Sequence, residues 1–287
     1  MQRFVDLDSN EQKKIFRLVK KLKSQGLGYK RIIKRIGAEQ KVKLHLSTLS
    51  YWFNNDVKLL GGENWFEEKP SRELSYLIGV MFGDGSITHN SKKQEYIIKL
   101  EAIDKDFVKK FSHCVSAVLD RERDYPIHKN KRGPIYSTHA RSKQLYYFIK
   151  CLKKDFSKAK PFIEVYPAEF IQGLADSEGC PCISASKRLS CRIGVAYSTN
   201  LPLLEYAKML LKREYEIISA IRLHKQAGVT DSIIGGRQIT RTKDLYSLEI
   251  RPKLNMINFQ SNVSFTIKRK REKLNDALEI LPLVGPS

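Results

Sequence analysis

Helical periodicity marks three short segments at the start of the chain. Apolar residues recur on one helical face over residues 10–23, and Gly26 then predicts the end of that helix. Shorter patterns of the same kind cover residues 29–36, before Gly37, and residues 47–54. The opening of the chain is therefore predicted to be a small all-α domain of three helices.

The pattern changes after residue 70, and its elements then occur twice. Residues 74–87 (LSYLIGVMFGDGSI) and 168–181 (AEFIQGLADSEGCP) are apolar helical runs that lead into a small residue, an acid and a glycine. Residues 135–143 (IYSTHARSK) and 245–253 (LYSLEIRPK) share Tyr-Ser, Arg and Lys in the same register. Each half reads as helix, hairpin, helix, hairpin, helix, which indicates an internal duplication in an α+β fold.

These patterns divide the chain into four predicted parts. A glycine pair and an acidic stretch that ends at Pro70 indicate a linker before the duplicated region. The predicted parts are a basic helical domain over 1–60, a linker over 61–70, a first repeat over 71–165, and a second repeat with a C-terminal helix over 166–287.

Small residues line one face of each repeated helix. Gly79 and Gly83 stand four residues apart in the first run, and Gly173 and Ser177 do so in the second. Residues at this spacing share a helix face, and small side chains let two backbones approach closely. We expect these two helices to pack against each other in parallel.

An acid follows each small-residue face. Asp84 and Glu178 are each followed by a glycine, Gly85 or Gly179, which can take the left-handed conformation that ends a helix. In a parallel pair the two carboxylates would meet at the negative ends of the helices, where their repulsion favours a bound divalent cation. Ligation by oxygen alone favours Mg²⁺, for which Mn²⁺ can substitute.

Charge and composition narrow the class of function. The chain has 52 Lys and Arg against 31 Asp and Glu, a formal charge of +21, which favours a polyanionic partner such as nucleic acid. We see neither a membrane-spanning apolar run nor a secretory signal, so we expect an intracellular protein of the cytoplasm, the nucleoid or a DNA-containing organelle. The five cysteines are expected to be thiols, since neither a disulfide framework nor a zinc ribbon fits their spacing.

The repeated motifs resemble those of the monomeric LAGLIDADG homing endonucleases. The resemblance rests on residues 77–85 (LIGVMFGDG) and 171–179 (IQGLADSEG) and covers the chain from about residue 71 to 281. It implies a pseudo-twofold αββαββα fold, with the motif helices at the centre and two antiparallel sheets that bind DNA. It also implies that Asp84 and Glu178 bind the metal, and that a monomer, often intron-encoded, cuts both strands of double-stranded DNA.

The resemblance also suggests further functional residues around the two acids. Glu101 resembles a polar strand residue that the family places beside the acids, and Ala196 stands at the corresponding place in the second half. The family also places a lysine from the end of each repeat near the acids, which suggests Lys268 in the second half and Lys154 or Lys158 in the first. These lysines could instead be basic residues of a DNA-facing or solvated surface.

Side chains on the predicted strands would read the DNA sequence. Arg pairs well with guanine and Gln with adenine, whereas Lys more often neutralises phosphate. Residues 228–242 have no counterpart in the first half, and we favour a DNA-contacting extended loop over a flexible insertion. The candidate contacts in the two repeats are Lys99, Lys129, Tyr136, Thr138, His139, Arg192, Arg222, His224, Arg237, Gln238 and Arg241.

The basic N-terminal module resembles a helix-turn-helix, with residues 46–53 (LSTLSYWF) as the helix that would enter a major groove. Ser47 could cap that helix, and Ser47, Thr48, Ser50 and Tyr51 are the candidate DNA contacts. A plain three-helix bundle with a solvated basic face would show the same periodicity.

Two other functions use the same fold. An intron RNA maturase would add intron RNA as a partner, and a DNA-binding regulator would bind without cleavage. The retention of Asp84 and Glu178 favours cleavage over pure regulation, because a binder gains nothing from two crowded carboxylates that face phosphates. Site-specific, metal-dependent cleavage of double-stranded DNA is therefore the predicted function.

Overall fold

The chain forms two units in the computed structural model, Met1–Trp65 and Phe66–Ser287, and each has its own hydrophobic core. The structure describes residues 1–7, 9–54, 66–131, 133–184, 190–234 and 237–281. Within these ranges, no helix combines the length and the apolar character needed to cross a membrane.

Three helices enclose the core of the first unit, and two short strands pair in parallel beside them. The elements in chain order are β1 (Gln2–Arg3), a 3-10 turn (Phe4–Asp6), α1 (Ser9–Ser24), α2 (Tyr29–Gln40), β2 (Val42–Lys43) and α3 (Leu46–Asn54).

Two glycines were expected to end helices in this unit, and one of them does. Gly26 takes a φ of 84°, and its amide donates to the carbonyl of Lys23 at 2.9 Å, which confirms the predicted end of α1. The predicted end at Gly37 was wrong, because α2 runs on to Gln40. Lys41 takes the left-handed conformation there, with a φ of 57°.

The start of α3 also differs from the prediction. The carbonyl of His45 accepts hydrogen bonds from the amides of Thr48 and Leu49, so the helix already begins at Leu46. Ser47 therefore lies inside the first turn and does not cap the helix.

The elements of the first repeat, in the second unit, are α4 (Arg72–Phe82), β3 (Ser86–Asn90), β4 (Glu95–Ala102), α5 (Lys105–Val118), β5 (His128–Lys129), β6 (Tyr136–Arg141) and α6 (Lys143–Lys154). The four strands form one antiparallel sheet with the order β3-β4-β6-β5. A 3-10 turn (Phe156–Ala159) and α7 (Lys160–Ile163) lead from α6 into the second repeat.

The elements of the second repeat are α8 (Pro167–Glu178), β7 (Cys180–Ser184), β8 (Ser190–Ser198), α9 (Leu201–Tyr215), β9 (Ala220–Lys225), β10 (Thr230–Ile234), β11 (Arg237–Thr240), β12 (Leu245–Ile250), α10 (Lys253–Asn262) and α11 (Lys268–Ile280). The main sheet has the strand order β7-β8-β12-β9, which matches the topology of the first repeat. The predicted duplicated αββαββα fold with two antiparallel sheets is confirmed. The inserted residues 228–242 contain the two-stranded hairpin β10–β11 rather than an extended loop.

Helices α4 and α8 pack so closely that their backbones touch. A Cβ atom on Gly79 would lie 2.2 Å from the carbonyl oxygen of Phe170, and one on Gly173 would lie 2.3 Å from the carbonyl oxygen of Tyr76. These separations are shorter than any real Cβ contact, so only glycine allows this approach.

The contact between α4 and α8 runs in parallel. Near the helix starts, the Ser75 hydroxyl donates to the carbonyl of Tyr166 at 2.7 Å. Near the helix ends, a Cβ on Gly83 would lie 2.4 Å from the Cβ of Ser177. The two C-terminal ends therefore meet, and each leads directly into the first strand of its own sheet.

The glycines after the two acids do not take the predicted left-handed conformation. Gly179 has a φ of −84°, and the positive-φ glycines in the described part of the chain are Gly26 and Gly228. Glycine is needed at both positions because other atoms lie too close for a side chain. A Cβ on Gly85 would lie 2.5 Å from the sulfur of Met81, and a Cβ on Gly179 would lie 2.5 Å from the carbonyl oxygen of Ala175.

We predict that Gly79→Ala destabilises the protein, as measured by urea unfolding. A clash with backbone costs about 3 kcal/mol, which exceeds the gain of about 1 kcal/mol in helix propensity and leaves a net loss of about 2 kcal/mol. Gly133→Ala is the matched control, because a Cβ there meets no atom within 4 Å. Equal unfolding free energies for the two variants would contradict the close packing of α4 against α8.

Candidate functional site

Asp84 and Glu178 lie side by side where α4 and α8 end. Glu178 is the last residue of α8, and Asp84 comes two residues after the end of α4. A Cβ on Gly83 would lie 3.2 Å from the Cγ of Glu178. Asp84 is exposed and Glu178 is half-buried, so the pair is open to solvent on one side.

The surroundings of the two acids disfavour their ionised forms. Burial, and then the negative charge of Asp84, raise the pKa of Glu178 to about 7, against the opposing charge of Lys270. Although Asp84 is exposed as a residue, desolvation of its carboxyl group also raises its pKa, and the charge of Lys270 again lowers it. A divalent cation would relieve the repulsion between the two carboxylates, and their oxygen atoms are the ligands that Mg²⁺ and Mn²⁺ prefer.

A cation at this pair would need further ligands. Among the described residues, no group of three or more His, Cys, Asp or Glu side chains is placed to hold a metal ion. The donor set therefore fits Mg²⁺, which is usually bound through one or two carboxylates together with water and substrate phosphate, and does not fit a closed structural site.

Lys270 lies beneath the two acids. Its side chain is buried, and its ammonium donates to the carbonyls of Ala175 and Asp176, at 3.1 Å and 2.5 Å, at the C-terminal end of α8. The carbonyl of Ala175 also accepts a hydrogen bond from the amide of Gly179 at 2.8 Å, and the ammonium faces the negative end of the helix dipole. Burial lowers the pKa of Lys270, and the charge of Asp176 opposes that shift.

Asp176 joins three parts of the second unit. Its carboxylate is buried and accepts hydrogen bonds from the Tyr76 hydroxyl at 2.8 Å and from the amide of Thr266 at 2.9 Å. The Thr266 hydroxyl donates to it as well. Burial raises the pKa of this carboxyl, while the hydrogen bonds from Thr266 and Tyr76 lower it. Asp176 thereby fixes α4, α8 and the segment before α11 relative to one another.

The start of α11 is also held by the first repeat. The Arg269 guanidinium forms an ion pair with Asp104 at 2.7 Å, and the amide of Lys268 donates to the carboxylate of Asp106 at 2.6 Å. An acid at a helix N-terminus is favoured by the helix dipole. These contacts place Lys270, in the same turn, below the acid pair.

Lys270 takes the place that the sequence suggested for Lys268. The Lys268 side chain is exposed and forms an ion pair with Glu272 at 3.5 Å. The buried face of α11 contains Lys270, Leu274 and Ala277. This helical spacing was the signal in the sequence that could have identified Lys270 as the inward lysine.

A second lysine contacts the end of the other motif. The ammonium of Lys153, near the end of α6, donates to the carbonyl of Gly85 at 3.2 Å. Of the two lysines suggested for the first repeat, Lys154 is exposed, and the ammonium of Lys158 donates to the sulfur of Cys151 at 3.5 Å. Lys153 and Lys270 therefore each donate to backbone carbonyls beside one of the two acids.

Glu101 lies on the face of β4 that points away from the core, and its counterpart in the second repeat is not Ala196. Glu101 pairs with Ser137 in the first sheet, and Tyr197 pairs with Ser247 in the second. Ser137 and Ser247 are matching residues of the two repeats, so Tyr197 takes the place of Glu101. An irregularity in the pairing of β8 with β12 shifts the register and explains the difference.

Strand parity separates the candidate DNA contacts of the first sheet. Lys99 and His139 are paired across β4 and β6 and lie on the open face of the sheet, away from the helices. Thr138 lies on the other face, is fully buried and donates to the carbonyl of Pro126 at 3.0 Å, so this candidate was wrong. Tyr136 shares that face and packs against the core.

The remaining candidates occupy different positions. Arg192, Arg222 and His224 belong to the second sheet, and the His224 ring lies 4.9 Å from that of Tyr197. Lys129 is exposed at the end of the first sheet, and Arg241 is half-buried after β11. The side chains of two more candidates, both on β11, lie outside the described residues: Arg237 and Gln238.

The candidates of the first unit lie on the outward side of α3. Ser47 and Tyr51 are exposed, and Thr48 and Ser50 are half-buried. Tyr51 is the most accessible of them, with 61% of its surface exposed.

Two proteins of Methanocaldococcus jannaschii are similar to this chain. The uncharacterized protein MJ0398 is 34% identical over 275 residues, which cover 96% of each chain. The uncharacterized protein MJ0314 is 27% identical over 191 residues, which cover 64% of this chain and 69% of the relative. No protein-family model matches the chain.

Solved structures of LAGLIDADG proteins are also similar to the chain. I-DmoI in complex with DNA and Mn aligns with a TM-score of 0.45 and 21% identity, over 67% of this chain and 96% of that one. The I-LtrWI LAGLIDADG homing endonuclease bound to target DNA aligns with a TM-score of 0.45 and 11% identity, over 73% and 89% of the two chains. The N-terminal LAGLIDADG domain of DUF199/WhiA aligns with a TM-score of 0.43 and 15% identity, over 72% and 88%.

We predict that Asp84→Asn lowers the pKa of Glu178 from about 7, because the Asp84 charge is one of the two causes that raise it. Removal of a neighbouring negative charge favours the ionised form, and the remaining burial keeps the pKa above its ordinary value. Titration by NMR of protein with ¹³C-labelled glutamate side chains, in the absence of divalent ions, measures the shift. An unchanged pKa would show that the two carboxylates do not interact.

Lys270→Met should have the opposite effect and raise the pKa of Glu178. Lys270 lowers the pKa of Glu178, so loss of its charge is expected to raise it further. The exposed neighbour Lys273 allows a matched control, since Lys273→Met removes a charge from the same helix without breaking a hydrogen bond to α8. Equal shifts in the two variants would contradict the placement of Lys270 beneath the acids.

Proposed function

The chain belongs to the same family as the uncharacterized protein MJ0398 of Methanocaldococcus jannaschii, and we propose that it is a LAGLIDADG-type endonuclease that cuts double-stranded DNA at a specific site. The observation that supports this proposal is the pair Asp84 and Glu178, which meet where two parallel helices end. A protein that only binds DNA has no use for two repelling carboxylates in a chain of charge +21.

Asp84 and Glu178 would hold Mg²⁺ or Mn²⁺ through their carboxylate oxygens. When bound, such an ion lowers the pKa of a water molecule and stabilises the negative charge that develops on a phosphate. Lys270 favours the ionised form of both acids, since its charge lowers the pKa of each. Asp176 and the contacts of Arg269 keep Lys270 in place.

The open faces of the two sheets would bind the DNA on either side of the acid pair. Lys99 and His139 supply polar groups on the first sheet, and Arg192 and Arg222 do so on the second. Each motif helix leads into the first strand of one sheet, so the acids lie where the two binding faces begin. One chain supplies both halves of this arrangement, so we propose that it acts as a monomer.

We predict that the protein converts plasmids that carry its target site into linear DNA in Mg²⁺ or Mn²⁺ but not in EDTA. A plasmid library of candidate insertion sites, followed by sequencing of the linear product, identifies the target. Asp84→Asn and Glu178→Gln should abolish the linear product and still bind the site. Asp276→Asn, which changes an exposed acid on α11, is the matched control and should cut normally.

Binding without cutting under any divalent ion would contradict the endonuclease and favour a DNA-binding regulator. Preferential binding of structured intron RNA over the DNA site would favour a maturase.

We also propose that the unit Met1–Trp65 contacts DNA through α3 and adds affinity. Removal of this unit should reduce the slope of log affinity against log salt concentration by about 0.9 for each lost phosphate contact. Fluorescence anisotropy with a labelled duplex over a range of salt concentrations measures the slope. The same slope with and without the unit would show that it does not neutralise DNA phosphates.

A further inference from the structure

Three arginines surround one buried carboxylate on the open face of the second sheet. Only 5% of the Glu249 side chain is exposed, and Arg251 donates to it through Nη2 at 2.8 Å and Nε at 3.1 Å. The Nε atoms of Arg192 and Arg222 lie 3.5 Å and 3.6 Å from the same carboxylate. We refer to these four residues as the Glu249 cluster.

The strand register explains why the arginines converge on Glu249. On β12, Glu249 is paired with Gly194 of β8 and with Ala220 of β9, neither of which has a long side chain. This leaves room above Glu249 for longer side chains from positions two residues away along each strand. Arg192, Arg222 and Arg251 stand at those positions and approach the carboxylate from three directions.

Glu249 is held in its ionised form. Burial alone would raise the pKa of Glu249, but hydrogen bonds from Arg251 and Ser247, together with the charges of Arg192 and Arg251, lower it. The Ser247 hydroxyl donates to the carboxylate at 3.1 Å. One carboxylate thus orients three cations, so the cluster keeps a net positive charge.

The guanidinium groups retain donors for a ligand. The exposed fractions of the three side chains are 34% for Arg192, 55% for Arg222 and 48% for Arg251. Arg192 and Arg222 are in ion-pair range of Glu249 but beyond the usual hydrogen-bond distance. The Nε of Arg192 is buried, so the exposed part of this side chain is what remains open to a ligand.

The first sheet lacks a corresponding cluster. His139 stands where Glu249 stands in the repeated segment, and Lys99 is paired opposite it. Burial, and then the charge of Arg141, lower the pKa of His139, which favours the neutral form of its ring. Lys99 itself forms an ion pair with Glu101 at 2.8 Å. The two sheets therefore offer different chemistry to the two halves of a bound duplex.

We propose that Glu249 is a positioning residue that holds Arg192, Arg222 and Arg251 as a guanine-reading set for the half of the target contacted by the second repeat. This inference rests on the proposed binding of duplex DNA by the open faces of the sheets. Arginine donates two hydrogen bonds to the O6 and N7 atoms of guanine in the major groove, which is the commonest specific contact. A guanidinium that is already oriented loses less conformational freedom on binding.

The test is selection of bound duplexes from a randomised library, in EDTA so that no DNA is cut. For the wild-type protein we expect guanine at one to three positions in one half of the site, each preferred roughly 5- to 150-fold over other bases. Glu249→Gln removes the charge that orients the arginines, so these preferences should weaken together. Glu205→Gln, an exposed residue on α9, is the control for loss of one negative charge and should leave the preferences unchanged.

Arg222→Lys is a second variant that tests the inference if Glu249→Gln fails to fold. Arg222 is exposed and the change keeps its charge, so this variant should fold normally. Lysine cannot reproduce the bidentate contact, so the preference at one guanine position should fall while affinity for random duplex stays the same. The affinity of the protein for duplexes of random sequence is expected to rise slightly in Glu249→Gln and in Glu205→Gln, since both changes remove a negative charge.

Several results would overturn the inference. A site without guanines in either half would do so, as would unchanged base preferences in both Glu249→Gln and Arg222→Lys, which would assign the arginines to phosphates. Guanine selection by a protein that never cuts DNA would support the inference and contradict only the proposed nuclease. Absence of any selected duplex for the wild type would contradict both.

Discussion

The contact between the backbones of α4 and α8 is the constraint on which the second unit depends. Because Gly79 and Gly173 have no side chains, the helices approach until backbone atoms of α4 and α8 nearly touch. The contact is parallel, so both helices end at one place, and Asp84 and Glu178 are forced together there. Each helix then leads into its own sheet, so the packing of α4 against α8 sets the positions of both acids and of both sheets.

Much of this arrangement could be predicted from the sequence. The spacing of four between Gly79 and Gly83, and between Gly173 and Ser177, is a local pattern that specifies a helix face without knowledge of the fold. The duplicated strand pattern predicted two similar antiparallel sheets, because the order of elements along the chain limits their topology. The acid at the end of each pattern indicated the site.

Other features depend on tertiary contacts that periodicity does not encode. Gly85 is required by the nearness of Met81 rather than by a positive φ, and the sequence alone does not distinguish these two needs for glycine. Strand parity placed Thr138 in the core, and an irregularity in β8 moved Tyr197 into the position expected for Ala196. The role of Lys270 depends on how α11 docks against α8, which involves residues far apart in the chain.

Direct observation of the metal tests whether Asp84 and Glu178 together bind the ion. Crystals of the protein with its target duplex, soaked in Mn²⁺ and measured for anomalous scattering, would show where the ion binds. We predict a peak bonded to a carboxylate oxygen of Asp84 and one of Glu178, with DNA phosphate and water as the other ligands. A peak coordinated by neither acid, or a duplex bound with its phosphates remote from both, would contradict it.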